Sequence, residues 1–194
     1  LSPRGQFFSY CGEDYHIPMV GAYQVENAAV AIEVVKALVR GGWDISRTAL
    51  EEGLAGAAWP GRMELARRAP DLILDGGHNP QCMQAVARSL EQLYPGKKVS
   101  FLLGVLADKD YPAMVEPLLP LARRVYTLTP DSPRALSGEE LARYLAGRGA
   151  EAVPCADARE GLEKLLAQCG PEEVCCACGS LYLIGELRHL LGLC

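Results

Sequence analysis

The sequence predicts an α/β protein built on a mostly parallel sheet with helices on both faces, preceded by the tail of another domain. Three observations predict it. Beyond about residue 60, short apolar runs alternate with amphipathic segments. Strand, helix and strand in regular alternation imply right-handed crossovers and a parallel sheet covered on both sides. The residues before that point do not share the alternation, which sets a boundary near Ala57 to Pro60 and divides the chain into 1–57 and 58–194. The composition, 49% hydrophobic and 22% charged over 194 residues, is that of a globular chain long enough for one domain and part of a second.

The elements follow in order. Gln6 to Tyr10 and Tyr15 to Val20 are aromatic and branched runs flanking Cys11-Gly12-Glu13-Asp14, a turn signal, so they predict a β-hairpin. Val25, Ala28, Ala29, Ile32, Val35 and Val39 recur at helical spacing, which predicts a helix over 24–40 that Gly41-Gly42 stops. Ser46 can cap a second helix running to Ala55, with Gly56 after it. Strands are then predicted at 72–75, 99–104, 125–129, 150–153 and 174–179. Helices are predicted near 80–93, 112–121, 137–147, 157–168 and 180–191. Ser137 and Glu140 have capping-box spacing.

Composition also excludes function classes. A net charge of −5 offers no basic stripe to release counterions from a nucleic-acid backbone. No apolar run approaches the ~20 residues that span a bilayer, and no secretory signal pattern stands at the start. The chain begins at Leu1 rather than Met, so its start is expected to be a cut. Of the eight cysteines, Cys175, Cys176 and Cys178 lie in one apolar run. Adjacent strand positions point to opposite faces, so these three cannot easily converge on a metal. No second pair or nearby His completes a zinc set around the Cys175–Cys178 CxxC. They read as small buried residues of a cytoplasmic, reducing environment.

The chemistry concentrates in a few places. Asp75-Gly76-Gly77-His78-Asn79-Pro80 follows the first strand of the α/β part. Its glycines permit a tight turn and close backbone approach. Asn79 can cap the next helix with Pro80 at its first position. An ordinary strand-to-helix turn accounts for those residues. It does not account for an Asp and a His together at the carboxyl end of a strand, where such sheets bind ligands. Arg62, after Trp59-Pro60-Gly61, carries a guanidinium fork suited to phosphate, or is a solvated surface Arg. Gln24 and Asn27 can read an adenine edge, or cap their helix.

Six segments together carry a resemblance. Gly21-x-x-Gln24-x-x-Asn27-Ala28-Ala29, Trp59-Pro60-Gly61-Arg62-Met63-Glu64 and Asp75-Gly76-Gly77-His78-Asn79-Pro80 come first. Gly104-Val105-Leu106-Ala107-Asp108-Lys109-Asp110, Ser132-Pro133-Arg134-Ala135-Leu136 and Gly179-Ser180-Leu181-Tyr182-Leu183-Ile184-Gly185-Glu186 follow. In order and spacing, over nearly the whole chain, they resemble the motifs of folylpolyglutamate and dihydrofolate synthases of the Mur ligase superfamily. The resemblance implies that 58–194 is the Rossmann-like carboxy-terminal glutamate ligase domain. It implies that 1–57 is the end of the central ATPase domain. It also implies a reaction in which ATP phosphorylates a folate or dihydropteroate carboxylate and the amine of L-glutamate attacks the acyl phosphate.

Carried over residue by residue, Asn27 would contact adenine, Arg62 the ATP phosphates and Asp75 the ribose hydroxyls. His78 and Ser180 would be catalytic residues facing the acyl phosphate and incoming glutamate, although Ser180 reads equally as a helix N-cap and His78 also as a partner in a structural hydrogen bond. Lys109 and Arg134 would bind substrate; otherwise Lys109 is a solvated loop residue and Arg134 pairs with a surface carboxylate beside the loop that Pro133 shapes. The parent would be a monomer. Asp131-Ser132-Pro133-Arg134 also resembles the Asp-Asn-Pro-Arg segment of cell-wall ligases, so a Mur-type peptide ligase is a second reading and a non-catalytic α/β binding module a third. No Gly-Lys-Ser or Gly-Lys-Thr occurs, since Gly96-Lys97 is followed by Lys98. The resemblance therefore places the phosphate loop, the Mg2+ ligands and the pterin site upstream, and this polypeptide alone is expected to be inactive.

Overall fold

The computed structural model describes residue 2 and residues 5–193. They form two compact units, one up to Pro60 and the other from Gly61 onward.

In the first unit, β1 (Gln6–Tyr10) and β2 (Glu13–Ile17) pair antiparallel. Cys11 and Gly12 connect them at φ 52° and 80°. Two successive positive φ values are what a two-residue hairpin turn needs, and that tight turn starts β2 two residues before the aromatic run suggests. α1 (Ala22–Arg40) ends at Gly41 and α2 (Arg47–Ala55) begins after Ser46, whose side chain accepts the Ala49 amide. Tyr15, Ile17, Ala28, Ile32 and Leu54 make the unit's core. Val39, expected on the inward stripe of α1, is 44% exposed, and Val30 and Val34 on another side are exposed as well.

The second unit is a six-stranded sheet in the order β3-β4-β8-β5-β6-β7. Its strands are β3 (Glu64–Arg67), β4 (Asp71–Asp75), β5 (Val99–Leu103), β6 (Ala122–Thr127), β7 (Ala152–Pro154) and β8 (Val174–Cys178). All pairs are parallel except β3 with β4. Its helices are α3 (Pro80–Leu93), α4 (Tyr111–Val115), α5 (Gly138–Ala146), α6 (Ala158–Ala167) and α7 (Leu181–Leu190). α6 and α7 pack on one face, against Leu72, Leu74, Leu102, Tyr126, Cys175 and Ala177. Right-handed crossovers from β4 through β7 put α3, α4 and α5 on the other face.

Three elements depart from expectation. β3 was not foreseen: Glu64-Leu65-Ala66-Arg67 is too short and mixed to read as a strand, and it exists because it pairs with β4 at the sheet edge. The helix expected over 112–121 is α4 followed by a 3-10 turn, Glu116–Leu118. Pro117 has no amide hydrogen to continue the α-helical ladder. β6 begins three residues early because Arg123 and Arg124 pair with Glu173 and Glu151 at its start. Among the described residues no helix is long and apolar enough to cross a membrane.

Candidate functional site

β4 and β8 run side by side, with Asp75 opposite Cys178 at their carboxyl ends. β8 is last in the chain yet sits between β4 and β5. α3 and α7 therefore leave these adjacent strands toward opposite faces, which opens a crevice at a switch point of the sheet.

Asp75 closes β4 and is 2% exposed. Its Oδ2 accepts the Met63 amide at 2.8 Å and its Oδ1 accepts the Gly77 amide at 2.7 Å. The carboxylate is thus a clasp between the 61–64 turn and the loop after β4. A ribose would have to share an oxygen already engaged by backbone. The clasped turn needs left-handed backbone at Gly61, which adopts it freely, and at Met63, at φ 70° and 44°. For Met63 that conformation costs about 1 kcal/mol. Glu64 closes the turn from the other side: one oxygen accepts the Gly61 amide at 2.7 Å and the other pairs with Arg188 of α7.

Arg62 sits between the two positive-φ residues, so the clasped turn sets the direction of its side chain. Its Nη1 donates to the Gly61 carbonyl at 3.1 Å. The guanidinium lies against Gly76, whose amide donates to the same carbonyl at 2.8 Å. A Cβ at Gly76 would stand 2.6 Å from Arg62 Nη1 and 2.2 Å from Leu181 Cδ2. The glycine is what lets the cation and the start of α7 close on the loop.

His78 is half-buried, with Nδ1 2.9 Å from the Gly76 carbonyl. A carbonyl only accepts, so in the neutral ring Nδ1 carries the proton and Nε2 keeps its lone pair. The hydrogen bond orients the ring and leaves a basic nitrogen. Ser180 is 1% exposed and its Oγ accepts the Tyr182 amide at 3.1 Å. Ser180 thus caps α7 and stands at its amino end. Gly179, at φ 108°, donates to the Gly77 carbonyl at 3.0 Å and joins the two strand ends.

Arg134 and Lys109 lie on the loops after β6 and β5. Those loops are tied by the Ala107 amide on the Arg134 carbonyl at 2.7 Å and the Leu136 amide on the Val105 carbonyl at 3.0 Å. Contact with the Tyr182 hydroxyl, then the Asp108 carboxylate at 2.8 Å, raises the Arg134 pKa above its ordinary value. Among the described residues the Lys109 side chain makes no hydrogen bond or ion pair. Asn27 belongs to the first unit, where it is exposed and donates to Gln24 Oε1 at 3.0 Å.

The structure thus gathers Arg62, Asp75, His78 and Ser180 into one cluster, and Tyr182 links Arg134 to the same helix start. Glu64 and Tyr182 were not singled out from sequence, although both stand inside the quoted motifs. A guanidinium, an imidazole nitrogen and the amino end of α7 can together hold an anionic group and accept a proton beside it.

The family model described as Mur ligase, glutamate ligase domain, matches residues 61–181. A dihydrofolate synthase/folylpolyglutamate synthase of Bacillus subtilis is 31% identical over 97% of this chain and 45% of its own length. A Mycobacterium tuberculosis folylpolyglutamate synthase, solved with ADP and AMPPCP, superposes with TM-score 0.83 at 28% identity, covering 92% of this chain and 43% of that one. A bifunctional folylpolyglutamate synthase/dihydrofolate synthase of Yersinia pestis, solved with AMPPNP and a Mn ion, gives 0.81 at 25% identity, over 97% and 46%. The chain spans about half the length of the curated relatives it matches.

Proposed function

The chain belongs to the Mur ligase family, through its glutamate ligase domain, and on that premise we propose that it is the carboxy-terminal part of an ATP-dependent ligase that adds glutamate to folates. The two proteins solved with nucleotides support ATP as the co-substrate. A carboxylate oxygen is a poor leaving group, so phosphorylation to an acyl phosphate precedes attack by the glutamate amine. In this reading Arg62 binds phosphate oxygens, Asp75 holds the Arg62 turn in place, and His78 Nε2 accepts a proton from the attacking amine. Arg134 and Lys109 attract the carboxylates of glutamate. Asn27 meets the adenine, and residues 1–57 are the end of the central ATP-binding domain.

The observation that carries the reading is the position of Arg62, clasped at a switch-point crevice and pressed on a glycine beside the start of α7. Among the described residues no three His, Cys, Asp or Glu side chains gather to hold a metal. The test uses the full-length protein that contains this chain. Glutamate-dependent ADP release is expected with a reduced folate or dihydropteroate and absent with a UDP-linked peptide. Arg62→Ala is expected to lower kcat/KM for ATP about 10- to 100-fold, the worth of one charge-assisted contact. Preference for the UDP-linked peptide would overturn the folate assignment. The 194-residue chain should show no turnover in the same assay, because it carries no Gly-Lys-Ser or Gly-Lys-Thr loop.

A further inference from the structure

The seven described cysteines are free thiols, and two of them meet. Cys169 follows α6 and Cys175 is the second residue of β8. Their Sγ atoms are 2.9 Å apart, inside van der Waals contact. Cys175 stands in register with Ser100 of β5 and Leu72 of β4, so the pair lies near the amino end of the central strand. The functional crevice is at that strand's carboxyl end. Nothing in the proposed ligase chemistry uses either sulfur.

We propose that Cys169 and Cys175 form a thiol–disulfide exchange site, in which Cys169 attacks a small-molecule disulfide and Cys175 resolves the product into an intramolecular bridge. The steps balance. The Cys169 thiolate forms a bond to one sulfur of the small disulfide and expels the other as a thiolate, which takes a proton from solvent. Cys175 then loses its proton, attacks Cys169 Sγ and expels the second small thiol. Two protein thiols are oxidised and one small disulfide is reduced to two thiols.

The surroundings assign the two roles. Cys169 is 9% exposed and Cys175 is fully buried, so only the first can be reached. Cys169 accepts hydrogen bonds from Cys175 and Ser100 and feels the Arg123 guanidinium, which together hold its pKa below the ordinary thiol value. Cys175, donating to it from a desolvated position, is pushed up. Two sulfurs in contact, one reachable with its pKa lowered and the other buried with its pKa raised, are the arrangement of an attacking and a resolving pair. Cys155 is an internal comparison: it is 7% exposed, but burial, with the Glu160 and Asp157 carboxylates nearby, raises its pKa.

The test equilibrates the purified 194-residue chain with oxidised glutathione, quenches in acid, alkylates, and cuts with a glutamate-specific protease. Glu172 and Glu173 lie between the two cysteines, so their fragments stay joined only through a disulfide. The expected result is a Cys169–Cys175 cross-link forming at least roughly ten-fold faster than any modification of Cys155. Cys175→Ser should leave glutathione trapped on Cys169, whereas Cys176→Ser and Cys178→Ser should keep the cross-link. Alkylation of Cys169 in the unoxidised chain should reach half its maximal rate below ~8.5, the free-thiol value. A wild-type cross-link to Cys176 or Cys178 would overturn the proposal, as would a Cys169 that reacts no faster than Cys155. Both readings come from wild-type protein and do not depend on whether a variant folds.

Discussion

Replacing Asp75 by alanine would leave two buried amides, those of Met63 and Gly77, without their acceptor. Each such loss costs about 1–3 kcal/mol, and Met63 would also be released from its left-handed conformation. Asp75→Ala is therefore expected to lower unfolding free energy by about 2–4 kcal/mol, read from urea denaturation of the chain with no nucleotide present. Unchanged stability with weakened nucleotide binding would instead make Asp75 a ribose ligand and not a clasp. Sequence led directly to this residue, because an Asp at a strand's carboxyl end beside Gly-Gly-His stands out from an ordinary turn. It could not supply the partner. Met63 is twelve residues away along the chain, and only the antiparallel return of β3 along β4 brings its amide onto the carboxylate. His78 and Ser180 show the same division. Their position at strand ends was legible in the motif, but the hydrogen bond from His78 to Gly76 and the cap on Tyr182 depend on loop geometry.

At the scale of elements, legibility follows pattern length. α1, α3 and the parallel strands carry enough periodic apolar residues to be read directly. β3 has four residues and a mixed pattern, so its pairing decides its structure. In the first unit, elements are held partly by one acidic node. Glu13 of β2 accepts from the Tyr15 hydroxyl at 2.6 Å, pairs with Arg47 of α2, and stands 3.7 Å from Lys36 of α1. The Tyr15 hydrogen bond leads the causes that hold Glu13 below its ordinary carboxylate value, and the same bond pushes Tyr15 up to about 12. The sign follows from linkage. A carboxyl lowered in the folded state stabilises above its unfolded value, and that contribution fades as pH falls through the lowered folded value. Glu13→Gln is thus expected to lower the melting temperature at neutral pH. The gap from wild type should close in acid below the ordinary carboxylate range. Thermal melts across that range check it, and a gap independent of pH would show that the charge of Glu13 is not what joins these elements.

In the first unit, one side of α1 carries exposed apolar residues. α1 buries Gln24, Ala28 and Ile32, yet Val30, Val34 and Leu38 recur every four residues along another side at 65%, 54% and 38% exposure. Trp43 follows at 66%. Apolar residues at that spacing form a continuous stripe on a helix, and a contiguous apolar surface in water favours association. A net charge of −5 on 194 residues gives only modest repulsion against it. The chain is expected to self-associate with rising concentration through this stripe. Sedimentation velocity should show the mean mass increasing between about 1 and 100 μM, which corresponds to about 5–8 kcal/mol of association free energy. Val30→Glu with Val34→Glu should hold the chain at monomer mass throughout. Because both side chains point to solvent, the double variant should melt within about 0.5 kcal/mol of wild type. A wild-type chain that stays monomeric across the range would show that the stripe is too narrow to pair with itself.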